Sequence, residues 1–382
     1  MARTRFVSTP FNRAFAAAVD AGVPVVLWGP PGEGKTAKLT GLLEAWGRHV
    51  ETIIGATREP SDFLGVMVEE DDVISYRQFG WVKRLNAAPL SALFFDEFNT
   101  AGAAMKGMVR ILEEGVVGET ALHESVSIVA AANPVESSVD GEDLRSPVAN
   151  RILHLDWVFD TAEWLENVGS GFEAVQYPTL DQLLVTNLDE RRAQVAGSVT
   201  AFLRTRTHLL NPGPPADPVA AGLAWPSPRS WTKAINTLSR LHAEDVQAHA
   251  LVIKGLVGEG AAAEYQTWLR AQDLIDPVAA LADPSIVPWS DDRPDRLFAL
   301  LNAVTSIVLN DPDQWKPAMK LMVACAEGGK PDFAGPFVTR LFPHRPEGAA
   351  KPRGFTPAFG GLVQRSTYRV APEVVDTEAA AA

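Results

Sequence analysis

Eight consecutive residues, Gly29-Pro30-Pro31-Gly32-Glu33-Gly34-Lys35-Thr36, match the pattern G-x-x-x-x-G-K-[ST]. Such a loop turns successive backbone N–H groups inward around phosphate oxygens, with a helix N-terminus behind them and the Lys35 ammonium as a mobile point charge. Thr36 then offers its hydroxyl to Mg²⁺. Further along, Leu93-Phe94-Phe95-Asp96-Glu97 ends an apolar run in two adjacent carboxylates. Their roles divide: Asp96 is expected to hold Mg²⁺ through water, and Glu97 to polarise the water that attacks a γ-phosphate. A third apolar run ends in Ala132-Asn133-Pro134, placing an amide where it can orient that water and sense the γ-phosphate. Together these residues describe phosphoryl transfer to water, with ATP and Mg²⁺ as the expected ligands.

Positioning them requires buried strands that stop together. Residues 23–28 form a continuous apolar run ending at Gly29, the pattern of a strand covered on both faces of a parallel sheet. Leu39, Leu42, Leu43 and Trp46 then repeat at helical spacing, so strand, loop and helix follow in the required order. Further strands are expected over 50–54, 92–95, 126–131 and 152–155, and a helix over 11–20. The fold class that follows is α/β, a phosphate-loop αβα sandwich with about five parallel strands. Hairpins are expected within 65–82 and 115–126, the second turning near Gly118. Past Asp156 the pattern turns helical, with helices over 188–210 and 230–241 around a Pro-rich loop at 211–218. The domain reading is a nucleotide-binding core over 1–160, a helical lid over 161–272, and a helical C-terminal region with a Pro-, Gly- and Ala-rich tail from 343 over 273–382.

Composition narrows the function classes. With 382 residues, 46% hydrophobic and 21% charged, the chain can bury cores without staples. A formal charge of -13 argues against non-specific binding to nucleic acid or anionic lipid. The single cysteine, Cys325, reads as a small buried apolar residue and fits a reducing compartment. Arg3, Arg5 and Arg13 followed by 14–19 mimic a secretion signal, but Asp20 and Gly22 interrupt that run, so a cytoplasmic protein without a membrane span is expected. No H-E-x-x-H or G-x-S-x-G motif is present.

The phosphate loop, the DEFN segment at 96–99, the AANP turn, Asn150-Arg151 and Ser227-Pro228-Arg229 together resemble the AAA+ ATPases, and within them the MoxR-like and dynein-related branch. The resemblance runs over 11–268. It departs from common MoxR patterns at Pro30-Pro31, at DEFN in place of DEIN, and at Asn150-Arg151-Ile152 in place of Asp-Arg-Phe. The resemblance implies that Arg151, with Arg145 in reserve, reaches the ATP of a neighbouring subunit, and that Arg229 contacts ATP from the lid as a second sensor. It also implies a homo-oligomeric ring, a hexamer, acting on a protein client that bears a von Willebrand factor A domain. In relatives the two hairpins lie around the ring's central face, where Tyr76, Phe79 and Trp81 either grip a partner or serve packing. Two alternatives stay open: a nucleotide-dependent scaffold that hydrolyses slowly, and a DNA-acting AAA+ protein, which the charge disfavours.

Overall fold

The computed structural model describes residues 9–70, 73–134, 144, 146–172, 176–271, 275–290 and 293–367. Nine strands occur among them: β1 (Val25–Trp28), β2 (His49–Ile54), β3 (Val66–Glu70), β4 (Val73–Arg77), β5 (Ser91–Asp96), β6 (Val116–Val117), β7 (Thr120–Ala121), β8 (Val126–Ala132) and β9 (Leu153–Asp156). Five of them form one sheet in the order β2-β5-β8-β1-β9, and every neighbouring pair is parallel. This is the α/β core expected from the apolar runs.

Burial on both faces explains the composition of these strands. Val26, Ile53, Leu93, Phe95 and Ala130 share one core with Val82, Leu85, Met105, Met108 and Ile111, from helices Gly80–Ala87 and Met105–Glu114. Side chains alternate along a strand, so Val25, Leu27, Phe94 and Val129, all fully buried, point to the other face. There helix Pro10–Asp20 contacts β1 and β8, and helix Lys35–Ala45 contacts β2 and β5.

Two small antiparallel pairs, β3 with β4 and β6 with β7, match the expected hairpins. The first is shorter than 65–82, because Gly80–Ala87 is helical and Phe79 and Trp81 pack against the core. Tyr76 stays exposed, beside Val66, Met67, Val73 and Ile74, each more than half exposed.

The chain divides into two compact units, one of Met1–Leu188 with Arg206–Trp268, the other of Asp189–Thr205 with Leu269–Ala382. This division cuts through the segment read as a lid. Helices Pro228–Leu238 and Val246–Val257 fall in the first unit and pack on helix Pro10–Asp20, whereas most of helix Leu188–Thr205 falls in the second. In the second unit Gly197 comes close to Ala299, where a Cβ would lie 2.9 Å from the Ala299 carbonyl oxygen. The second unit has its own core, built from Leu300, Leu301, Val304, Trp315, Met319, Met322, Val338 and Leu341, and including Cys325. The expected tail holds a further helix, Phe355–Thr367, whose Phe355, Phe359 and Val363 join this core. Spacing by four residues outweighs the glycines and prolines around it. Among the described residues no helix is long and apolar enough to cross a membrane.

Candidate functional site

The tips of β1, β8 and β5 are adjacent because the strands are parallel neighbours in one sheet. The loop from Gly29 to Gly34 leaves β1 and enters helix Lys35–Ala45. Gly32 and Gly34 have φ of 82° and 78°, the left-handed region in which a side chain would be strained. Gly29 is required for a different reason: a Cβ there would fall 2.6 Å from the Cβ of Trp157. The indole N–H of Trp157 is buried and has no acceptor among the described residues. Pro30, Pro31 and Gly32 are exposed at the loop's outer edge, and Glu33 is half-buried beside them.

Lys35 is buried, 7% exposed, and folds back over the loop. Its ammonium donates to the carbonyls of Gly29 (2.7 Å) and Pro30 (2.6 Å) and to Oδ1 of Asn133 (3.2 Å). Burial pushes its pKa down, an effect partly offset by Asp96, Glu33 and Glu97. The Thr36 hydroxyl donates to Oδ2 of Asp96 at 2.6 Å, so the two residues expected to hold Mg²⁺ face each other. Thus the start of helix Lys35–Ala45 is bonded to two neighbouring strand ends, through Lys35 to Asn133 and through Thr36 to Asp96, with the Asp96 charge also acting on Lys35.

Glu97 follows Asp96 in the left-handed conformation, with φ 53° and ψ 42°. Its backbone N–H donates to Oδ1 of Asp96 at 3.0 Å, and its side chain is exposed. Of the described residues only Glu97 and Phe172 combine a side chain with positive φ. A non-glycine residue there costs about 1–3 kcal/mol, and such strain gathers at functional positions. Asn133 is held by a partner that sequence reasoning left without a role. Asn99 is fully buried and makes two bonds to the Asn133 backbone: Nδ2 donates to the carbonyl (2.8 Å), and Oδ1 accepts from the N–H (3.0 Å). Its position three residues after Asp96 was the available signal, but the pairing depends on the β5–β8 register.

Arg151 and Arg229 lie elsewhere. Arg151 precedes β9, where Leu153 pairs with Val25, the first residue of β1, and its N–H donates to the Pro24 carbonyl (2.8 Å). Arg151 therefore stands at the amino ends of strands whose carboxyl ends carry the glycine loop. Four residues of strand at about 3.3 Å each separate those ends. The Arg151 guanidinium pairs with Glu113 at 2.7 Å and donates to the Pro147 carbonyl at 2.9 Å. Arg145 lies outside the described residues.

Arg229 occupies the first turn of helix Pro228–Leu238, behind Ser227, which accepts from the Ser230 N–H at 3.1 Å as N-cap. Ser227 also donates to Oδ1 of Asn150 at 2.6 Å, while Asn150 Nδ2 donates to the Trp225 carbonyl at 2.8 Å. These bonds tie the start of this helix to the turn bearing Arg151. Lys233, one turn further on, donates to the Arg151 carbonyl. Its pKa is lowered to about 8, by burial first and then by Arg229 and Arg151. Three cations thus share one neighbourhood, and none of them is among the charges that act on Lys35.

No family model matches the chain, and no curated protein matches it. Among solved structures it is similar to a protein of Cytophaga hutchinsonii described as a candidate ATPase, with 17% identity over 69% of this chain and 88% of that one, at a TM-score of 0.41. At that score the likeness adds nothing to the site, which rests on the strand order and side-chain geometry.

Proposed function

We propose that this chain binds and hydrolyses ATP as a subunit of an AAA+ ring of the MoxR-like kind, a hexamer, and that hydrolysis drives the remodelling of a protein partner. One observation carries the reading: Lys35, Thr36, Asp96 and Asn133 converge from three adjacent strand tips on a loop with two left-handed glycines. The β- and γ-phosphates lie against the loop's backbone N–H groups, and the Lys35 ammonium moves from the Gly29 and Pro30 carbonyls onto phosphate oxygen. Thr36 and Asp96 fit Mg²⁺, an oxygen-preferring ion that keeps several waters and takes few protein ligands. When bound, the ion neutralises charge on the phosphates.

Glu97 takes the proton of the attacking water, and Asn133, fixed by Asn99, orients that water. Arg151 serves a neighbouring subunit, because it stands at the far end of the sheet from its own loop. Arg229 serves the same neighbour. A cation in the first turn of a helix opposes the helix dipole, and Lys233 four residues on adds like charge, an arrangement that an arriving phosphate would relieve. This differs from a lid arginine that contacts its own subunit's ATP. Client contact falls to hairpin β3–β4, where Met67, Ile74 and Tyr76 present exposed apolar surface; a von Willebrand factor A domain is the proposed client class.

The test is calorimetric titration of ATP with Mg²⁺ into the wild type and Lys35→Ala. Wild type binds and the variant does not; equal binding by both would remove the loop from the account.

A further inference from the structure

The phosphate loop and the arginine-bearing turn lie at opposite ends of the sheet, and one side chain bridges them. Trp28 is the last residue of β1 and directly precedes Gly29. Its indole N–H donates to Nδ1 of His154, on the neighbouring strand β9, at 3.0 Å. Nε2 of the same imidazole lies 2.9 Å from the Ala149 carbonyl, in the turn that continues into Asn150 and Arg151. The two bonds settle the ring's state. Nδ1 accepts, so Nε2 carries the proton and donates, and the imidazole is neutral. The ring planes of Trp28 and His154 are nearly parallel, 9° apart, with centroids 6.1 Å from each other.

The turn is held equally firmly on its other side. Asn150 bonds to Ser227 and to the Trp225 carbonyl, and Lys233 bonds to the Arg151 carbonyl. Two hydrogen bonds therefore connect the residue before the phosphate loop, through one imidazole, to Ala149, and the covalent backbone 149–151 carries the connection on to Arg151 and, through the bonds of Asn150, to the helix start that presents Arg229. Helix Val246–Val257 closes over this strand at Gly255, where a Cβ would fall 2.0 Å from the His154 carbonyl oxygen, so β9 has little room to shift alone.

We propose that His154 is a positioning residue that transmits the state of this subunit's phosphate loop to the two arginines it offers its neighbour. The inference rests on the reading that Arg151 acts across a subunit boundary. A shift of Trp28 when the loop closes on phosphate is passed to the Ala149 carbonyl, and a displacement near 1 Å in a catalytic group costs on the order of 100-fold in rate.

The experiment uses mixed assemblies of full-length chains. Glu97→Gln subunits bind ATP without turning it over and donate arginines; Arg151→Ala subunits keep Glu97 and accept them. Hydrolysis by that mixture is the baseline, and its absence under verified co-assembly would overturn the boundary-crossing reading and the His154 proposal with it. His154→Phe is then added to the Glu97→Gln donor only. The expected result is a loss of about 10- to 100-fold against the baseline, with ATP affinity of the acceptor unchanged. His154→Gln in the same donor, whose carboxamide accepts and donates at a similar separation, should restore most of the rate. Donors carrying His154→Phe that support their neighbours at the baseline rate would refute the proposal, and so would a His154→Gln donor as poor as the phenylalanine one. Should His154→Phe fail to assemble, Trp28→Phe in the donor removes the same hydrogen bond from its other end and must lower the mixed rate for the proposal to stand.

Discussion

The carboxyl ends of the parallel strands and their amino ends follow opposite electrostatic plans. At the carboxyl ends one cation, Lys35, sits among Asp96, Glu33 and Glu97 and is bonded to Asn133. At the amino ends three cations, Arg151, Arg229 and Lys233, lie close enough to act on one another, and Arg151 pairs with Glu113. The first arrangement brings its residues together within one chain, around the loop proposed to hold phosphate. The second places positive charge, partly buried, against a helix dipole, and its ion pair among the described residues is Arg151 with Glu113. On the proposed function, such a chain carries a site at one end and offers half of a neighbour's site at the other.

The largest expected effect falls on the arginine end. Arg151→Ala should leave ATP binding nearly unchanged and lower hydrolysis by about 10³- to 10⁵-fold, measured as steady-state phosphate release beside a binding titration. Lost binding would instead place Arg151 at its own loop and erase the contrast between the ends. Next in size is Glu97→Gln, which should slow hydrolysis by about 10²- to 10⁴-fold while ATP stays bound; near-normal turnover would transfer the role of base to another group.

The link between the ends carries a pH signature. Burial pushes the His154 imidazole down to about 4, because protein atoms surround the ring although one edge faces a cavity. An unfolded chain takes up this proton near its ordinary value of about 6.5, so as pH falls from there towards 4 the unfolded state gains a proton that the folded state refuses. Stability from this group is therefore present above pH 6.5 and lost below it, by about 3 kcal/mol in all. Denaturant unfolding of wild type and His154→Gln should diverge across that window and run parallel above it. Parallel behaviour throughout would mean that the imidazole titrates normally. The smallest effect belongs to the strained residue. Glu97→Gly should relieve the left-handed backbone and raise stability by about 1 kcal/mol, while hydrolysis falls as it does in Glu97→Gln. An unchanged midpoint would show that the conformation costs little.

How much of this could be read in the sequence depended on distance along the chain. The glycine loop, the Asp96-Glu97 pair and Asn133 are contiguous motifs at the ends of apolar runs, and the parallel sheet follows from those runs, so fold class and site were legible together. Asn99, Trp28 and His154 were not. Each matters only through a neighbour on another strand, and register between β5 and β8, or β1 and β9, is set by packing that no local pattern reports. Arg229 was picked out as a helix-start residue, but its company with Arg151 depends on the Ser227–Asn150 bond. Helix Phe355–Thr367 was hidden by composition: prolines and glycines before it suggest loop, and only the spacing of Phe355, Phe359 and Val363 reveals the buried face.

In the proposed ring the two ends of one chain belong to sites in different subunits. The direct measurement is ATP hydrolysis by Glu97→Gln and Arg151→Ala chains, each alone and then co-assembled, with mixing verified by native mass spectrometry. Each variant alone should be nearly inactive, and the co-assembly should recover a substantial fraction of wild-type rate, because one chain brings the arginines and the other an intact Glu97 beneath bound ATP. Co-assemblies as inactive as their parents would contradict it.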